Sequence, residues 1–432
     1  MTTSFSERTL DGWLKYIGME HPKNVLGGLA RVAEVGKRAG LNPPAPRNIV
    51  VAGTNGKGST SVFLEQLLIA GGLTVGTTLS PHVHRFNERI RVNGRDCDDG
   101  EIVAAFEAVE AARGDIKLTY FEYAILAAMR VFATRKVDVT VLEVGLGGRL
   151  DAVNIVDADV TVITSIGIEH TDYLGDTCDL IGLEKAGIMR PDVPLVFGDP
   201  AMPTSIQGRV DELAAPLFLR GREFLDASTH DGWSVTVTRP DGMKDEILST
   251  SHPRVARQNA ATAVQAVTLF RGSCNDAMLR SACRHAAIPG RFERIEIADA
   301  TFVLDVAHNP HGAQFFARQV TGLFAGRRIH AVVSMFADKD VRGVLAPFAS
   351  LVEDWTFTDC ARARGLSGDA LRSRAPSVRA RVVPDPREAI ESLAQRTVPG
   401  ASLGSTQATN DVILVFGSFD VVEHARETLR GT

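Results

Sequence analysis

The sequence predicts an α/β fold: a P-loop-containing doubly wound sheet domain over residues 1–289, followed by a smaller Rossmann-like α/β domain over residues 290–432. Three observations carry that prediction. From Asn48 onward β-rich runs alternate with helical ones, and such alternation builds a parallel sheet with helices on both faces. One strand-to-helix junction, Gly53 to Thr60, reads "GTNGKGST", a glycine-rich loop carrying a lysine. After "AAIPGRFER" the alternation restarts for about 140 residues, a usual size for an independent unit, and sets the junction near Pro289-Gly290.

In order along the chain, "NIVVAG" reads as a strand, "STSVFLEQLLIAGG" as a helix and "TVGTTLS" as the next strand; "DVTVLEVG" and "DVTVITSIG" follow as further strands. The texture changes from Leu217 to Thr250. There "WSVTVTRPDGMKDEILST" reads as a hairpin turned at Asp241-Gly242, with a helix from Val255 to Phe270 behind it. In the second domain the strands are "TFVLDVAH", "IHAVVSMF", "DWTFTD" and "DVILVFGS"; helices are expected from Pro310, after Lys339 and at the end of the chain. The stretch "VPGASLGSTQATND" before the last strand reads as a flexible loop.

With 44% hydrophobic and 23% charged residues, the chain suits a soluble globular protein able to bury a large core. A net charge of −5 and a pI near 6.1 argue against a general nucleic-acid surface, which needs clustered excess Lys and Arg. The five cysteines are scattered and form no C-x-x-C pair, as expected of a protein in a reducing cytoplasm. No signal-peptide core is visible, and no charge-free apolar run approaches the roughly 18 residues of a membrane span. Neither a nucleic-acid nor a membrane partner is therefore expected.

The loop at 53–60 departs from the usual phosphate-loop spelling. G-x-x-x-x-G-K-[ST] needs Gly at 51 and a hydroxyl at 58, where Val51 and Gly58 stand. The physical requirements are still met: a strand that stops at Gly53, small residues Gly56 and Gly58 that free backbone N–H groups, the cation of Lys57, and a helix opened by Ser59 and Thr60. A glycine-rich turn without a ligand is the bland alternative. Thr54, Asn55, Gly56, Lys57, Gly58 and Ser59 are the candidate nucleotide contacts.

"GTNGKGST" resembles the loop of the Mur-ligase superfamily, and in particular its folate branch, the dihydrofolate synthases and folylpolyglutamate synthases. Further stretches are similar to that branch: "SPHVHRFNERIRVNG" at 80–94, "LTYFEYAILAA" at 118–128, "LEVGLGGRLDAVN" at 142–154, "IEHTDYLGDT" at 168–177 and "EKAGIMR" at 184–190. In the C-terminal half "PGRFE", "DVAHNPH", "DKD" and "FGSF" follow in the family's order. A dinucleotide fingerprint over "VLEVGLGGRLDA" fails, because it would need Gly at position 150, which is Leu150.

The resemblance implies ATP and Mg2+, two ions being expected, with room for a monovalent cation. It makes Ser80, Glu143 and His170 metal ligands, although Mg2+ prefers oxygen and a lone His ahead of a helix is more often a capping or surface residue. Glu143 could equally be a solvated strand-end acid. Lys57, Lys185 and His170 are the expected catalytic residues, with Lys185 carbamylated in the resembling family; an unmodified helical lysine is the alternative. Asn259 in the first domain and Arg291, Asp305 and His308 in the second are implied ATP contacts, with Lys339 as a helper, while Arg291 could instead be a junction salt bridge. Thr119, Tyr120, Phe121, Glu122, Leu150, Asp151 and Ala152 match positions that contact dihydropteroate. One departure stands out: the family's Asp-Leu-Gly-Leu-x-Arg reads Leu26-Gly27-Gly28-Leu29-Ala30-Arg31 here, so the acid's pterin contact cannot be carried over, while Arg31 could meet a folate carboxylate.

The expected activity is ATP-dependent ligation of L-glutamate to dihydropteroate and to tetrahydrofolates through an acyl phosphate, by a monomer. A folylpolyglutamate synthase alone is the first alternative. A Mur ligase acting on peptidoglycan precursors would need a further domain before Gly53, and a switch or motor NTPase would need the Walker spacing. A nucleotide-binding protein without chemistry would not need Lys57, Glu143, His170 and Lys185.

Overall fold

The computed structural model describes residues 9–20, 28–41, 43–396 and 411–430. Leu26, Gly27 and the stretch 398–410 lie outside the described residues. The chain divides into two compact units, Met1–Ala286 and Ala287–Thr432.

The N-terminal unit is built on eight strands: β1 (Arg47–Ala52), β2 (Val75–Thr78), β3 (Ile90–Val92), β4 (Arg95–Asp96), β5 (Val139–Glu143), β6 (Val160–Ile163), β7 (Leu195–Phe197) and β8 (Leu217–Leu219), in the order β4-β3-β2-β5-β1-β6-β7-β8. All pairs from β2 to β8 are parallel. β1 and β5 are buried along almost their whole length, as strands covered on both faces must be. The end of β1 lies between β5 and β6, where successive connections leave toward opposite edges, and this is the position at which open α/β sheets bind ligands.

β3 and β4 add an antiparallel edge that the strand–helix alternation did not predict; Asn93 (φ 50°) and Gly94 (φ 76°) make its two-residue turn. The predicted hairpin is present as β10 (Gly232–Thr238) and β11 (Lys244–Ser249), with Gly242 at φ 84°, but a third strand, β9 (Leu225–Thr229), pairs with β10. β9 is mostly exposed and polar, so it carries no apolar alternation to read. The helix expected from Val255 begins at Arg257 and runs to Arg271.

Helix Tyr120–Arg135 starts in a capping box: Thr119 Oγ1 accepts the Glu122 N–H at 3.2 Å and Glu122 Oε2 accepts the Thr119 N–H at 2.7 Å. The same helix lies flush on β2 because Gly76 has no side chain; a Cβ there would stand 2.5 Å from the Phe132 ring. Trp13 and Phe106, both buried, extend this core under helices Leu10–Glu20 and Asp99–Arg113.

The C-terminal unit holds β12 (Glu293–Ile297), β13 (Ala300–Asp305), β14 (Ile329–Val333), β15 (Asp354–Phe357), β16 (Ala380–Val382) and β17 (Val412–Phe416) in the order β12-β13-β17-β14-β15-β16. Only the β12–β13 pair is antiparallel. Phe316, Phe348, Phe357 and Phe416 fill the core between sheet and helices. β12, β16 and the helices Gly368–Arg374 and Pro386–Arg396 go beyond the elements read from sequence. β16 is three residues long and only partly buried, too short to leave a periodic signal. Among the described residues no helix is long and apolar enough to cross a membrane.

Candidate active site

Gly53 (φ 145°) follows β1, and Gly56 (φ 85°) caps the helix Lys57–Ala70 without a side-chain bond. The first-turn N–H groups of this helix, with its positive dipole end, are therefore directed at the loop. The loop is held from its own unit. Thr54 Oγ1 donates to Gly167 O at 3.1 Å, Thr164 Oγ1 donates to Asn55 O at 2.6 Å, and Asn55 N donates to Ser165 Oγ at 3.3 Å. A Cβ at Gly53 would stand 1.9 Å from Thr164 Oγ1, and one at Gly56 would stand 2.5 Å from Asn259 Oδ1. Both glycines thus let the backbone pass where a Cβ would force a neighbour to move: the end of the Asn259 side chain at Gly56, and Thr164, backbone included, at Gly53. Thr164, Ser165 and Gly167 were not read as functional from sequence; their only signal is position, just after β6.

Two ammonium groups meet at the loop. Lys57 Nζ donates to Gly53 O at 2.8 Å and Thr54 O at 3.1 Å, and Lys185 Nζ donates to the same Gly53 O at 2.9 Å and to Glu169 Oε1 at 3.1 Å. Lys185 is 2% exposed, and burial followed by the Lys57 charge pushes its amine down to about 8. Burial alone would raise Glu169, but the Lys57 and Lys185 cations hold its carboxyl below the usual range. Asp151 behaves oppositely: burial pushes it up to about 6, although the N–H groups of Gly145, Leu146 and Val153 all donate to its carboxylate. Glu169 was missed in the sequence; its place beside His170 is the signal that could have found it.

Glu143 closes β5, 3% exposed, and its Oε2 accepts the Ser80 N–H at 2.7 Å. A buried carboxylate beside a serine is an oxygen-rich donor pair that suits a hard divalent cation. His170 is exposed, in the left-handed conformation (φ 49°), ahead of the short helix Thr171–Leu174, and its charge bears on Glu169. Arg89, a cation that sequence reasoning did not single out, lies 5.9 Å from the Tyr120 ring centroid and within electrostatic reach of Glu143.

The residues assigned by resemblance to the pterin side are in part structural. Thr119 and Glu122 form the capping box, and Arg31 pairs with Glu122 at 2.8 Å while also donating to Lys117 O. Phe121 lies against Gly145, where a Cβ would come within 2.3 Å of its ring. Leu150 is 40% exposed at the end of the same glycine loop, and Ala152 is buried in the turn that Asp151 caps.

Asn259 sits in the first turn of helix Arg257–Arg271, in the N-terminal unit, facing Gly56. In the C-terminal unit Asp305 ends β13 and accepts N–H bonds from Phe292 and Ala307 at 2.8 and 2.9 Å; burial pushes its carboxyl up to about 6, and Arg291 acts in the opposite direction. The Arg291 guanidinium lies 5.4 Å from the Phe419 ring centroid, and the His308 ring packs on the same phenylalanine at 6.1 Å. His308 Nδ1 is 2.8 Å from Val306 O, just ahead of helix Pro310–Leu323. Lys339 pairs with Asp338 at 3.0 Å. Each unit therefore gathers its own cluster at the C-terminal ends of its parallel strands.

Residues 51–191 match the Mur ligase middle domain and residues 290–419 match the Mur ligase glutamate ligase domain. The dihydrofolate synthase/folylpolyglutamate synthase of Escherichia coli (strain K12) is 39% identical over 97% of this chain and 95% of its own length. The solved structure of Escherichia coli FolC in complex with DHPP and ADP superposes with a TM-score of 0.89 at 38% identity, covering 99% of both chains. A bifunctional folylpolyglutamate synthase/dihydrofolate synthase with Mn, AMPPNP and L-glutamate bound superposes with a TM-score of 0.86 at 39% identity, over 99% of this chain and 100% of the other. Identity at this level over nearly the whole length, with both Mur ligase domains in order, decides the assignment: the chain belongs to the bacterial bifunctional dihydrofolate synthase/folylpolyglutamate synthases, ATP-dependent ligases of the Mur ligase family.

Proposed function

We propose that this chain ligates L-glutamate to dihydropteroate, giving dihydrofolate, and to tetrahydrofolates, giving polyglutamates, at the expense of ATP. The observation that carries this reading is the pair of lysines, Lys57 and Lys185, meeting on Gly53 O just past β1, with Glu143 at the end of the adjacent β5 and Ser80 just beyond β2, on the far side of β5. A carboxylate anion resists amines and offers no leaving group. Its attack on the γ-phosphate gives an acyl phosphate, which the α-amine of glutamate then opens, releasing phosphate and leaving an amide.

In this reading Lys57 and the N–H groups of residues 54–59 hold the β- and γ-phosphates and neutralise charge as it moves. Ser80, Glu143 and His170 hold the divalent cations, Mg2+ in the cell, whose chemistry is to offset charge on the phosphate oxygens. The oxygen donors of Ser80 and Glu143 fit such an ion; the imidazole of His170 fits it less well. A depressed Lys185 amine exists partly in the neutral form that adds CO2, which supports a carbamylated Lys185; its ion pair with Glu169 favours the ammonium. Asn259, Arg291, Asp305 and His308 contact the nucleotide, with Lys339 as a helper; Arg31, Thr119 to Glu122 and Leu150 to Ala152 border the folate. A monomer working in the cytoplasm, with a monovalent cation as a further ligand, completes the reading.

Phosphate release from ATP with Mg2+ and L-glutamate tests it, with dihydropteroate, tetrahydrofolate or no acceptor, and with Lys57→Ala as control. Release with both acceptors, lost in the variant, is expected. Release with tetrahydrofolate alone would reduce the activity to polyglutamylation, the outcome that Leu26 in place of the family's Asp favours. Release with neither acceptor would overturn the proposal.

A further inference from the structure

The segment from Leu79 to Arg89 connects β2 to β3 and carries Ser80, whose N–H is bonded to Glu143. Its base is closed by Leu79 N donating to Arg89 O at 3.1 Å. Inside it, one side chain gathers the backbone. Glu88 Oε2 accepts the Val83 N–H at 2.7 Å, while Glu88 Oε1 accepts the His84 N–H at 2.9 Å and the Arg85 N–H at 3.0 Å. Three successive N–H groups turned toward one centre form a concave anion site of the kind that usually receives a phosphate or carboxylate ligand. Here the loop fills it with its own carboxylate. The outer flank is fixed separately: Asn87 Nδ2 donates to Cys97 O and Asp99 Oδ1, each at 2.8 Å, and Arg89 Nε donates to His82 Nδ1 at 2.7 Å.

We propose that Glu88 is a positioning residue for the divalent cation: by binding the N–H groups of Val83, His84 and Arg85 it holds the Ser80–Arg89 loop in the one form that sets Ser80 beside Glu143. Glu88 itself does not touch the ion. A Gln at 88 keeps the size but offers a single acceptor oxygen, and its NH2 group faces an N–H donor, so at least one of the three donors loses its partner. The loop then relaxes at the end that carries Ser80. This inference rests on the ligase reading for the identity of Ser80 and Glu143 as ligands.

The test is Mn2+ affinity of the full-length chain in the presence of ADP, read by electron paramagnetic resonance of free Mn2+, for the wild type, Glu88→Gln and Glu88→Asp. Outer residues that orient metal ligands typically change affinity by about 10–100-fold, so Glu88→Gln is expected to bind Mn2+ about ten-fold more weakly or worse. Glu88→Asp, still anionic but shorter, is expected to fall between Gln and the wild type. A role confined to fold stability would lower the melting temperature and leave Mn2+ affinity unchanged, and that result overturns the proposal. Should Glu88→Gln not fold, an unchanged affinity in Glu88→Asp overturns it equally. A wild type that binds no Mn2+ with ADP would sink the ligase reading and this inference together; a wild type that binds, with variants that bind as well, would sink this inference alone.

Discussion

Replacing Gly56 by alanine makes two separable demands. The residue caps helix Lys57–Ala70 at φ 85°, in the left-handed region, which costs a residue with a Cβ about 1–2 kcal/mol. The new Cβ would also stand 2.5 Å from Oδ1, 2.8 Å from Nδ2 and 2.9 Å from Cγ of Asn259, which is 3% exposed. All three atoms belong to the end of a side chain, so Asn259 can turn away, at about 0.5–1.5 kcal/mol for a strained rotamer. The total is about 1.5–3.5 kcal/mol. The second part should vanish when Asn259 is already alanine, leaving the backbone part alone. Urea unfolding of the full-length chain, in a double-mutant cycle of Gly56→Ala and Asn259→Ala, measures this directly. A coupling of about 1 kcal/mol is expected, with Gly56→Ala less damaging in the Asn259→Ala background. Equal losses in both backgrounds would refute the claim that Asn259 occupies the space that glycine leaves open.

At Gly53 no such relief exists, because the added Cβ would meet both Thr164 Oγ1 at 1.9 Å and the Thr164 backbone N at 3.0 Å; Gly53→Ala should cost more than Gly56→Ala in the same unfolding assay and should abolish nucleotide binding measured by calorimetry. Lys185 has a folded value of about 8 against an ordinary 10.5, so between these pH values the unfolded chain holds a proton that the folded chain does not, and stability contributed by this group rises with pH through that window. The full effect is on the order of 3 kcal/mol, and Lys185→Met should flatten the rise in unfolding free energy from pH 8 to pH 10.5. Glu122→Ala removes the acceptor of both Arg31 and the Thr119 N–H and should lower stability by about 1–3 kcal/mol; if the unfolding midpoint does not move, the capping box and ion pair do not anchor this helix.

The sequence by itself determined the class of each unit, since the alternation of β-rich and helical runs is written locally and leaves few ways to bury the strands. It also determined the loop at 53–60, because glycines there adopt φ 145° and 85°, where a residue with a Cβ is strained, and the family, through motifs kept in order. Partnership across the sheet was decided only by the tertiary structure. Lys185 reaches Gly53 O across 132 residues of sequence, and nothing in "EKAGIMR" states that the amine ends beside Glu169 and Lys57 rather than in solvent. Glu122 was read as a substrate contact, and the structure adds a cap and an ion pair with Arg31 that the sequence did not announce. Glu88 read as one letter of a motif, while its three backbone bonds depend on how the loop folds back on itself. The physical reason is the same in each case. Periodicity and backbone permissiveness act between near neighbours in the chain, whereas the charge state, burial and bonding of a side chain depend on whichever distant segments the packed sheet brings to it.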